Sequence, residues 1–92
     1  RGVPKDTKRA LVFIKKSAEL GFPDGICQLA EMHENGIEVQ KDLEKATKLY
    51  KQAADNGSKS AAIRYGQMCL QGIGIPKNEE EAATYFKLAT KL

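Results

Sequence analysis

The sequence predicts an all-α fold: an α-solenoid of stacked antiparallel helix hairpins, about two and a half repeats long and wound as a right-handed superhelix. Three observations lead there. Compared with itself, the chain has one strong offset, Ala10, Ala46 and Ala82 lying 36 residues apart, and a period of roughly 20–50 residues marks stacked supersecondary units. Apolar residues recur at three- and four-residue spacing, the signature of one helix face. Helix-start and helix-stop residues fall in the same register in each copy.

The opening helix starts at Asp6, whose side chain can cap the free amides of a first turn. It carries the stripe Ala10, Phe13, Ile14, Ser17 and Ala18, and stops at Gly21, glycine tolerating the left-handed conformation that ends a helix. The second helix begins near Pro23, where a missing amide hydrogen is harmless, and stops at Gly36. The third repeats the first, with Asp42 as cap, the stripe Ala46, Leu49, Tyr50, Ala53 and Ala54, and Gly57 as stop. The fourth follows the cap Ser58, starts near Lys59 and stops at Gly72; the fifth follows Asn78. Lys5/Lys41/Lys77, Val3/Val39/Ile75, Ile14/Tyr50/Phe86 and Met32/Met68 also align. Small residues at Gly25, Ala30, Ala61 and Gly66 fall where paired helices approach closely. Residues 1–92 thus form one repeat domain: 1–22 the second helix of a partial repeat, 23–58 a full repeat, and 59–92 a full or nearly full one.

These residues resemble the SEL-one-like repeat family, relatives of tetratricopeptide repeats. The resemblance rests on Tyr65-Gly66, Gly72-Ile73-Gly74-Ile75-Pro76, Asp42 with Lys45-Ala46, Tyr50, and Ala53-Ala54-Asp55-Asn56-Gly57. It covers essentially the whole chain. His33 and Cys69 stand at the family's tyrosine position, Glu38 at a loop glycine and Ala30 at the helix glycine. The resemblance implies a concave surface used to gather protein complexes.

Composition excludes several classes. With 92 residues, 41% hydrophobic and 29% charged, the chain is neither disordered nor fibrous. Its longest apolar run, Ala10 to Ile14, is far short of the roughly 18 residues that cross a bilayer. The net charge of +3 concentrates in the first 22 residues, which hold six Lys or Arg against Asp6 and Glu19. These charges flank an apolar face and form no basic stripe with interleaved aromatics, so no nucleic-acid partner and no membrane insertion are expected.

No catalytic constellation assembles around the single histidine, and neither cofactor nor metal is expected; the chain reads as a non-enzyme. His33 occupies a packing site and is read as a satisfied core or interface histidine, with no second ligand at metal-binding spacing. Cys27 is equivalent to Ile63, not to Cys69, so the two cysteines are expected to be free thiols. Secreted bacterial members of the family that carry one disulfide per repeat differ in this, which tilts an otherwise open localisation toward a reducing, intracellular compartment. Gly72-x-Gly74 follows a helix and lacks a phosphate-loop ending. Glu79-Glu80-Glu81 occupy a first helical turn, where they meet the positive end of the helix dipole.

An angular count of 100° per residue places Gln28, Glu31 and Asn35, with Arg64, Gln67 and Gln71, opposite the core stripe. They are the candidate partner-binding residues on the concave face. The expected function is a scaffold or adaptor module for a protein or peptide. The alternatives are a structural spacer within a longer repeat array and a cell-envelope glycan-binding protein. Leu11-Val12-Phe13-Ile14 is wider than one packed face, so weak self-association through the first helix, near Leu11 and Val12, is expected.

Overall fold

The caps expected from the sequence set the helix starts. The computed structural model describes residues 6–92, with side chains from Thr7 onward. Among these residues are five helices and no strand: α1 (Asp6–Glu19), α2 (Pro23–Asn35), α3 (Leu43–Asp55), α4 (Lys59–Gln71) and α5 (Glu79–Lys91). Asp42, Ser58 and Asn78 each accept a first-turn amide, from Lys45 at 3.0 Å, Ala61 at 3.1 Å and Glu81 at 2.9 Å. Pro23 opens α2 as expected. The cap expected at Asp6, the Lys5 alignment and the Val3 position lie outside the described residues or side chains.

The stops also match. Gly36 and Gly72 follow α2 and α4 in the left-handed region, and the next amides, of Ile37 and Ile73, reach back to the carbonyls of Met32 and Met68. The chain then returns to the helix it has left: the Asp42 amide donates to the His33 carbonyl and the Asn78 amide to the Cys69 carbonyl, both at 2.8 Å. Each cap residue therefore serves twice, its side chain starting one helix while its amide ties the loop to the previous one.

Each helix packs chiefly on its neighbours in the chain, in a body of 41 × 23 × 22 Å. The core uses small side chains at the crossings, with Ala30, Ala46, Ala53, Ala61 and Ala62 fully enclosed, and rings between them at Tyr50 and Tyr65. Gly25 lies against Ser17 of α1, and a Cβ on Gly66 would come 2.7 Å from the Phe86 ring. Bulk at either point would separate the helices.

Three departures matter. Ala10 is exposed although its equivalents Ala46 and Ala82 are enclosed, because no helix of the described residues covers that face of α1. The bare residues there are Val12 (68% exposed) and Phe13 (76%); Leu11, expected to be bare, is half-buried. Glu38, at the loop-glycine position, adopts φ 59°, a conformation that disfavours a Cβ, while its carboxylate accepts a hydrogen bond from the Thr7 hydroxyl at 2.7 Å. Finally, His33 is buried as expected but is not satisfied, since its Nδ1 has no partner among the described residues.

Candidate functional site

The hairpin geometry leaves one face of α2 and one of α4 uncovered, side by side. Gln28, Glu31 and Asn35 are exposed on the first, Gln67 and Gln71 on the second, and Arg64 is half-buried between them. Four of the six, Glu31, Asn35, Arg64 and Gln67, line one open cleft of about 470 Å³. Gln28 and Gln71 stand outside its lining on the same helices.

The centre of the cleft is a network. Glu34, at the end of α2, receives the Arg64 guanidinium in a two-point ion pair, Arg64 Nη2 donating to Oε2 and Nε to Oε1. The Tyr50 hydroxyl donates to the same Oε1 at 2.7 Å. Arg64 Nη1 donates onward to Gln67 Oε1 at 3.3 Å. One carboxylate thus gathers α2, α3 and α4 through charge-assisted bonds. Burial pushes the Glu34 carboxyl upward, but hydrogen bonds from Arg64 and Tyr50, with the charges of Arg64 and Lys41, outweigh it and hold the group below its ordinary value. Burial and the Glu34 carboxylate together raise Tyr50, so its phenol keeps its proton.

Sequence reasoning found the exposed rim and missed this centre. Glu34 lies at the edge of the Glu31 stripe, and only its pairing with Arg64, thirty residues away, reveals it. The apolar spacing places Tyr50 in the core stripe; its ring is buried there, 2% exposed, while its hydroxyl reaches the cleft.

The cleft holds no activated nucleophile. Cys27, one of its lining residues, is a buried free thiol 3.9 Å from the Ser60 hydroxyl, and burial pushes it above its ordinary value. Cys69 is likewise free, buried and raised. No group of three potential metal ligands occurs among the described residues, and no helix among them is long and apolar enough to cross a membrane. The arrangement suits recognition: rigid helices present amide and carboxylate side chains around an ion pair already satisfied within the protein.

A family model described as Sel1 repeat matches residues 1–22, 23–58 and 59–92. Among solved structures the chain is similar to Helicobacter pylori cysteine rich protein B, at 29% identity and TM-score 0.89, over 97% of this chain and 65% of that one. It is similar to a protective antigen of uropathogenic Escherichia coli strains that displays an SLR fold, at 28% identity and TM-score 0.87, over 99% and 20%. A Sel1 repeat protein from Oxalobacter formigenes matches at 26% identity and TM-score 0.82, over 87% and 23%. The chain therefore spans less than two thirds of each of these proteins. No curated protein matches it.

Proposed function

Because this chain belongs to the Sel1 repeat family, whose helical repeats generally serve as protein-interaction scaffolds, we propose that it is a non-enzymatic scaffold or adaptor holding a protein partner on its α2–α4 face. The observation that carries this reading is the α2–α4 cleft. Exposed Glu31, Asn35 and Gln67 surround the Glu34–Arg64 pair, so the face offers directional hydrogen-bonding groups whose backbone is already ordered. Such preorganisation lowers the entropy lost on association. The charges in the cleft favour a peptide over a phosphate backbone: Glu31 is exposed and the Arg64 cation is taken by Glu34.

Replacing Glu31, Asn35 and Gln67 together by alanine tests the proposal, because all three are exposed and their loss leaves the core intact. Wild-type chain immobilised on resin should retain a discrete set of proteins from its native extract, and the triple variant should lose them. An identical set on both resins would contradict this face as the binding site.

The spacer reading has a specific observation of its own, the exposed apolar face of α1 at Ala10, Val12 and Phe13. In that reading the face is covered by another repeat or, in isolation, by a second copy of the chain.

A further inference from the structure

The 36-residue period lets the chain serve as its own control. Over α2, between α1 and α3, runs an open groove of about 420 Å³, lined by Leu29, His33, Lys15, Glu19, Lys45 and Leu49 among others. One repeat later these positions hold Tyr65, Cys69, Lys51, Asp55, Glu81 and Tyr85.

In that second copy the middle of the groove is closed from within, leaving separate openings beside Tyr65 and beside Tyr85. Tyr65 and Tyr85, 2% and 8% exposed, meet edge to face with ring centroids 4.7 Å apart. Tyr65 donates to Glu81 at 2.9 Å, Glu81 pairs with Lys51 at 3.7 Å, and Tyr85 donates to Asp55 at 2.8 Å.

In the first copy every one of these interactions lacks a member. Leu29 and Leu49 stand in place of the two rings. Lys45 stands in place of Glu81, so Lys15 shares the groove with a second cation instead of a carboxylate. Among the described residues Lys15, Glu19 and Lys45 make no ion pair. His33 is only 9% exposed, and its Nδ1 has no hydrogen-bond partner among the described residues.

We infer that the groove between α1 and α3 is a second binding site, for a tyrosine-bearing acidic segment of a partner protein, which supplies the ring, the hydroxyl and the carboxylates that the second copy draws from its own chain. The ring covers Leu29 and Leu49. Its hydroxyl donates to His33 Nδ1, which is enclosed in the free chain and which the imidazole turns outward to present, since its isolation in a buried place is unfavourable until it is met. Carboxylates flanking the tyrosine meet Lys15 and Lys45, which outnumber Glu19 at the rim. The inference rests on the protein-binding reading above only for the class of partner, since the groove and the α2–α4 cleft share no lining residue.

The test is a titration of the 92-residue chain, labelled with nitrogen-15, with an end-blocked peptide in which one tyrosine is flanked by two glutamates on each side. Saturable shifts are expected at the amides of Leu29, His33 and Leu49 and at the His33 ring nitrogens. The phenylalanine analogue, lacking the hydroxyl, should bind about fivefold more weakly, and the lysine-flanked analogue should not saturate. Leu29→Tyr with Leu49→Tyr and Lys45→Glu, which rebuilds the filled copy, should abolish binding. Should that variant fail to fold, Lys15→Glu with Lys45→Glu alters only exposed rim positions and should abolish binding equally. Unchanged affinity in the rim variant, or equal affinity for the phenylalanine peptide, overturns the inference. Shifts centred on Glu31 and Gln67 overturn the groove while supporting the α2–α4 face. No saturation at roughly 1 mM peptide also overturns the groove, and leaves the resin experiment to judge the scaffold reading by itself.

Discussion

Glu38 carries the clearest single-residue conflict in the chain. It is the one non-glycine with positive φ among the described residues, at the position where the next repeat has Gly74 at φ 72°. Gly74 is forced: a Cβ there would overlap the Leu43 carbonyl and the Thr47 hydroxyl. In the first copy Leu11 stands for Thr47, and Glu38 recovers part of the backbone strain through Thr7. Left-handed geometry costs a residue with a Cβ roughly 1–2 kcal/mol, whereas an exposed hydrogen bond returns less. Glu38→Gly should therefore stabilise the chain by up to about 1 kcal/mol, read as a rise in Tm. The Glu34 network makes a second residue-scale prediction. Its carboxyl is held below its ordinary value when folded, so its contribution is complete above the unfolded value and disappears as pH falls through the folded one. With Arg64 about a third exposed (32%), the contribution is on the order of 1 kcal/mol. Thermal unfolding of Glu34→Gln should show a lower Tm at neutral pH and a smaller further loss below about pH 4. The register showed Glu38 to be anomalous. It showed neither Glu34 nor the unsatisfied His33, because both depend on partners brought together only by folding.

At the scale of the helices, local chemistry was legible. Caps, glycine stops and the proline at the start of α2 are decided by a few adjacent atoms, so the sequence alone predicts them. Close approach was also legible, because side chains as small as those of Ala46 and Gly66, recurring in register within an apolar stripe, leave space that only a neighbouring helix can fill. Ala46 is fully enclosed, and Gly66 lies under the Phe86 ring. Replacing either by leucine should cost roughly 1–3 kcal/mol by overpacking, lowering Tm by several degrees for a domain of this size. Ser58→Ala should cost about 1 kcal/mol through loss of the α4 cap. An unaltered Tm in both leucine variants would place the helix contacts elsewhere. What the stripe could not show was the different use of equivalent rings. Tyr50 and Phe86 align, yet Tyr50 reaches Glu34, while the residue aligned with Glu34 is Leu70 and requires no hydroxyl opposite it.

For the whole molecule, nearest-neighbour stacking makes each helix depend on the one beside it. The uncovered face of α1 follows from this dependence. Adding one repeat before α1 should bury Val12 and Phe13 and raise Tm, and the present chain should self-associate weakly at high concentration; sedimentation at increasing concentration checks the second point. The solenoid itself was legible because a period is a property of the entire chain. The candidate face was legible only as an exposed stripe, since exposure follows from helical angle and partner choice does not. The central claim is that this stripe, on α2 and α4, holds a protein partner. The most direct measurement is amide-shift mapping on the nitrogen-15-labelled chain as the protein retained by the resin is added. The perturbed amides should cluster around Glu31, Asn35, Arg64 and Gln67; binding that leaves those amides unmoved would contradict the claim.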